Sequence, residues 1–177
     1  DAQGLEGQFT TQMWQFLNNA LFDPVLPFIL EGDRTKNEKK ADGKADSRVM
    51  LGNAARLTRV DKARGDIEIA AEDTHEISLK GYGSVTASWW VLARPAGSTS
   101  KSGPAESYAS AGDAVIMTLH GQRQATERRT WLKDTTKLPF LYKDMIVSIN
   151  TTGLNGAGRR ELYTSTRERE RKSDLSK

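Results

Sequence analysis

Between Ser84 and Ala93 the chain alternates: Val85, Ala87, Trp89 and Val91 share one face, while Thr86, Ser88, Trp90 and Leu92 share the other. Successive residues of a strand point to opposite sides, so a tryptophan on each side calls for cover on both. A strand of this kind sits inside a sheet with material packed on each of its layers. That demand directs the chain toward a layered, mainly β fold.

From Arg48 onward a period of two recurs with β-branched and aromatic residues, predicting strands over 49–60, 66–70, 75–80, 84–93, 112–120, 140–151 and 160–166. In the fifth, Val115, Met117 and Leu119 oppose Ala114, Ile116, Thr118 and His120; in the sixth, Met145, Val147 and Ile149 oppose Ile146, Ser148 and Asn150. Ala63-Arg64-Gly65-Asp66, Gly81-Tyr82-Gly83 and Gly153-Leu154-Asn155-Gly156 supply the residues that tight reversals need. The expectation is an antiparallel sheet or sandwich of about seven strands. A faint repeat relates Gly52-Asn53-Ala54 and Leu57 to Gly112-Asp113-Ala114 and Leu119, and leaves a β-trefoil as the minority alternative.

A different period governs the beginning. Met13, Phe16, Leu17, Ala20 and Leu21 line one face of a helix, which Pro24 ends near Phe22. One N-terminal amphipathic α-helix is therefore expected ahead of the sheet. Val25 to Leu30 follow Pro24 as an apolar run that contains Pro27, read as a packed extended segment. Residues 31–48 hold six basic and five acidic side chains and almost nothing apolar, which marks a solvated loop. The resulting divisions are an apolar helix and arm at 1–30, a charged loop at 31–48, a β domain at 49–166 and a polar basic tail at 167–177. A chain of 177 residues suits one core. The run from Met13 to Leu30 is broken by Gln15, Asn18, Asn19, Asp23, Pro24 and Pro27, so no transmembrane segment is expected. A first residue of Asp1 suggests processing, or numbering from inside a longer precursor.

The chain contains no cysteine, which excludes disulfides, thiolate metal sites and thiol nucleophiles. Its two histidines, His75 and His120, both fall in predicted strands, and no Gly-x-Ser-x-Gly accompanies them. No glycine-rich turn carries the lysine and helix of a phosphate loop. Acidic residues cluster among lysines and arginines, the pattern of solvated charge. No metal or cofactor site is expected. Arg64-Gly65-Asp66 and the sequon Asn150-Thr151-Thr152 are short enough to recur by chance.

Charge is unevenly distributed behind a net +3. Residues 1–30 carry Asp1, Glu6 and Asp23 with no Lys or Arg, whereas 121–143 carry six basic residues against Glu127 and Asp134. The first expectation for function is a non-catalytic assembly subunit, forming a homo-oligomer or part of a larger complex of protein subunits. Its interface is expected on Met13, Trp14, Phe16, Leu17, Leu21 and Phe22, because Trp14 and Phe22 widen the helix beyond the stripe that a small sheet covers. The alternative is a nucleic-acid-binding module using Arg123, Arg128, Arg129, Trp131, Lys133, Lys137, Tyr142 and Lys143, a mix of cations and stacking rings. A metal-independent hydrolase or lyase using carboxylate or tyrosine chemistry stands third.

Overall fold

The strands with the clearest alternation form the middle of a single sheet. The computed structural model describes residues 13, 16–32, 46–58, 68–94, 97, 103–109 and 112–164. Within them, β1 (Phe28–Gly32) and β2 (Asp46–Met50) pair antiparallel as a separate two-stranded sheet. The main sheet contains β3 (Ile69–Leu79), β4 (Gly83–Leu92), β5 (Asp113–Leu119), β6 (Gln122–Arg128) and β7 (Met145–Asn150), in the order β3-β4-β7-β5-β6. Helical structure occurs at α1 (residues 16–20, with Met13 also helical), α2 (Gly52–Thr58), α3 (Arg129–Thr136) and α4 (residues 156–164). A 3-10 turn occupies Pro104–Ser107.

The protein is thus mainly β, but the main sheet is mixed: β5 and β7 run parallel, and the other neighbours are antiparallel. This corrects the all-antiparallel expectation. The reason lies in β6 and α3, which carry the chain from the end of β5 back to the level where β5 began. From there β7 starts in the same direction as β5. The trefoil finds no support in this strand order, and the N-terminal helix is joined by three others among the described residues.

Other departures have local causes. The strand expected over 49–60 stops at Met50, because Gly52 takes φ 77° and the good helix formers Ala54, Ala55, Arg56 and Leu57 then propagate α2. The strands expected over 66–70 and 75–80 overlap one continuous β3. The stretch expected as strand over 160–166 is helical through residue 164: the Asn155 side chain accepts a 2.9 Å hydrogen bond from the Gly158 N–H, capping α4. The 140–151 strand begins only at Met145. His120 lies in the β5–β6 turn, where φ values of 50° at His120 and 77° at Gly121 make the mirror-image reversal that hairpins favour.

The two faces of the sheet are filled differently. On one, Trp90, Leu92, Ile116 and Ile146 meet Phe22, Leu57, Ala105, Tyr108 and Ala109, supplied by the arm, α2 and the 3-10 turn region. On the other, Ala114 and Val115 pack with Leu132 of α3, with Met145, Val147 and Ile149 partly buried around them. Trp90 faces the first layer and is buried, as the alternation of β4 demands. Phe22 is 1% exposed, with its ring centroid 6.5 Å from that of Trp90.

Backbone contact places Phe22 there. The Asp23 N–H donates to the Gly121 carbonyl (3.0 Å), the Ala54 N–H donates to the Phe22 carbonyl (2.9 Å), and Leu21 makes an antiparallel bridge with Gln122. Residues 21–24 run between the β5–β6 turn and the start of α2. Two glycines permit so close an approach: a Cβ on Gly121 would stand 1.8 Å from the Asp23 carbonyl oxygen, and one on Gly52 would stand 2.4 Å from Pro24 Cδ.

Stability measurements on three variants check this arrangement. Gly121→Ala is expected to cost at least about 3 kcal/mol, since strain at positive φ is compounded by collision with backbone. Gly112→Ala, at φ 92° with open space around the added atom, should cost only about 1–2 kcal/mol of backbone strain. Equal losses on equilibrium urea unfolding would show that the arm yields freely. Phe22→Ala should cost about 3–5 kcal/mol, the loss typical of a core aromatic.

Candidate interaction surfaces

The apolar helix face divides once its residues are placed. Phe22 is core, Met13, Leu17 and Leu21 are half-buried, and Phe16 is 62% exposed, while Trp14 lies outside the described residues. Pro24 and Pro27 have no N–H, so residues 24–27 cannot take a place inside a sheet. They cross the surface. Val25 is 84% exposed and Leu26 75%, and Phe28 and Ile29 of β1 are also exposed. Across the two-stranded sheet Ile29 pairs with Val49, another exposed apolar residue. The run Val25 to Leu30, expected as a packed extended segment, instead leaves Val25, Leu26, Phe28 and Ile29 exposed. The two prolines were the available signal, because they remove the donors that would have tied the run into the main sheet.

The basic and aromatic residues divide as well. Arg123 is half-buried in β6, with Nη1 3.7 Å from an Asp113 carboxylate oxygen. Arg128 is exposed just before α3. Arg129 is only 6% exposed, and its Nη1 donates toward the carbonyls of Tyr142, Lys143 and Met145 at 3.3–3.5 Å. Burial pulls this guanidinium below the ordinary arginine pKa, and Glu106, Asp113 and Asp144 act in the opposite sense. Its charge is directed inward.

The outward part of this region is α3 and the turn after it. Helix α3 ends at Lys137, which adopts a left-handed conformation with φ 56° and donates its N–H to the Lys133 carbonyl. Lys133 and Lys143 bring their ammonium groups to 5.6 and 5.9 Å from the Tyr142 ring centroid, within cation–π range. Trp131, Leu138, Phe140 and Leu141 are exposed around this cluster. Lys133 and Lys143 thus meet at the Tyr142 ring, while Trp131 lies on the same helix as Lys133, Lys137 at that helix's end and Arg129 buried at its start.

The base of this lobe, α3 with the turn after it, is anchored by Asp144: the Arg94 Nε–H is shared between its two carboxylate oxygens at 3.0 Å each, and Arg94 Nη2 lies 3.0 Å from Oδ1. Arg94 is held above its ordinary pKa, first by this hydrogen bond and then by the charge of Asp144. Gly103 packs so tightly here that a Cβ would stand 1.8 Å from the Lys143 carbonyl oxygen.

The remaining motifs have structural placements. His75 lies on exposed β3 with Nε2 3.0 Å from Asp73. The sequon spans the end of β7, where Thr151 is buried and donates to the Thr118 carbonyl, and Asn150 accepts from the Thr152 N–H. Arg64-Gly65-Asp66 falls outside the described residues. Among the described residues no helix is long and apolar enough to cross a membrane. Comparison with protein-family models and with curated proteins finds no match for this chain.

Proposed function

We propose that this chain is an assembly subunit that acts through contact, its N-terminal arm packing against a neighbouring copy. The observation that carries this reading is the succession of exposed apolar side chains at Phe16, Val25, Leu26, Phe28, Ile29 and Val49. They come from one stretch of arm and the small sheet beside it, and scattered single residues are not grouped in this way. Residues 16–29 include no Lys or Arg, and Asp23 is their one ionised side chain. An apolar surface with so little charge suits the core of a protein–protein interface, where charged groups are depleted. The same backbone grip that buries Phe22 holds the outward residues in place, so less ordering is needed on association.

Light scattering over a range of protein concentrations tests the reading. The unaltered chain should show a mass above that of one chain, increasing with concentration, and Val25→Asp with Leu26→Asp should return it to the single-chain mass. Stability should change by no more than about 0.5 kcal/mol, because both side chains are on the surface. A single-chain mass for the unaltered protein throughout the range would overturn the proposal.

A further inference from the structure

We infer that the lobe formed by α3 and residues 137–144 docks on an anionic bilayer surface. Phe140 is 87% exposed, Leu138 and Leu141 flank it in the same turn, and Trp131 on the preceding helix is 42% exposed. The exposed turn is flanked by lysines: Lys133 and Lys143 beside Tyr142, and Lys137 at the helix end immediately before Leu138. Asp134 is the one acidic residue between Arg129 and Lys143. Aromatic and leucine side chains that enter the boundary between headgroups and acyl chains, with lysine stems reaching back to lipid phosphates, make an interfacial anchor. Anionic headgroups supply the charge that the lysines complement.

Two features favour lipid over single-stranded nucleic acid. Leu138 and Leu141 have no π face on which a base can stack, yet they share the exposed turn with Phe140. Arg129, whose planar fork suits a phosphate, is buried and turned toward the carbonyls of the lobe. The lobe joins the end of β6 to the start of β7, whereas the arm is gripped at the β5–β6 turn. By strand register these are opposite ends of the main sheet, so this surface is distinct from the one assigned to assembly.

Co-sedimentation of the full chain with vesicles provides the test, using phosphatidylcholine alone and phosphatidylcholine mixed with phosphatidylserine. Retention is expected on the mixed vesicles and should weaken as salt rises. Phe140→Asp should lower partitioning about tenfold or more, with an unchanged thermal melt because the ring is almost wholly exposed. Lys133→Gln with Lys137→Gln should make the salt dependence shallower. No retention on the mixed vesicles, or retention that Phe140→Asp leaves unchanged, overturns the inference. Binding of a single-stranded oligonucleotide without vesicle binding, weakened by the paired lysine changes, assigns the lobe to nucleic acid and overturns it equally.

Discussion

The passage of residues 21–24 between a turn and a helix governs much of the molecule. Because the Asp23 N–H bonds Gly121 and the Phe22 carbonyl bonds Ala54, the backbone is fixed on both sides of Phe22, whose ring can then close the first layer against Trp90. Pro24 follows at once and prevents the chain from continuing α1. The side chains beyond it, Val25 and Leu26, emerge on the surface. Burial of one aromatic and exposure of its apolar successors thus belong to one local geometry. It depends on two glycines far apart in sequence, Gly52 and Gly121, having no Cβ.

A comparable arrangement supports the opposite end of the sheet. Burying an arginine is costly unless its charge and donors are met. Arg129 has Glu106, Asp113 and Asp144 as electrostatic neighbours, and Nη1 reaches three carbonyls around the start of β7. Its Nε and Nη2 have no hydrogen-bond partner among the described residues, and the three carboxylates offset only part of the burial cost. Three carbonyls converging on one donor hold the turn in place. The lobe therefore presents Phe140 from a supported base, which Asp144 strengthens through its paired contacts with Arg94.

These two devices also show what the sequence makes legible and what it leaves hidden. Alternation in β4, β5 and β7 is visible because each face of those central strands has apolar positions to fill. By contrast β6, Gln-Arg-Gln-Ala-Thr-Glu-Arg, is a polar edge strand with only Ala125 buried, so it offers no hydrophobic period to read. The short helix α2 hides in a segment where Leu51 and Leu57 also fit a strand. For the surfaces, the apolar character of α1 and the cationic character of 121–143 are plain in the residues. Which members turn inward is not, because Phe22 and Arg129 are committed by contacts with carbonyls and amides far along the chain.

The same reasoning applies to the route by which copies of such a sheet can meet. Strand β3 is an edge of 11 residues, exposed from Ala70 to Leu79, and no described residue pairs with its outer side. An edge of that length invites another strand. Pairing with a second copy about the middle of the strand, however, sets Glu72 against Glu76 when centred on Thr74, and Asp73 against Glu76 when centred between Thr74 and His75. Both registers place like charges directly opposite, which is unfavourable in antiparallel pairs. The other edge, β6, has its first residue already bridged by Leu21. Charge in these registers of one edge and partial cover on the other narrow the ways in which two edges can meet, whereas the exposed arm residues Val25, Leu26, Phe28 and Ile29 carry no charge.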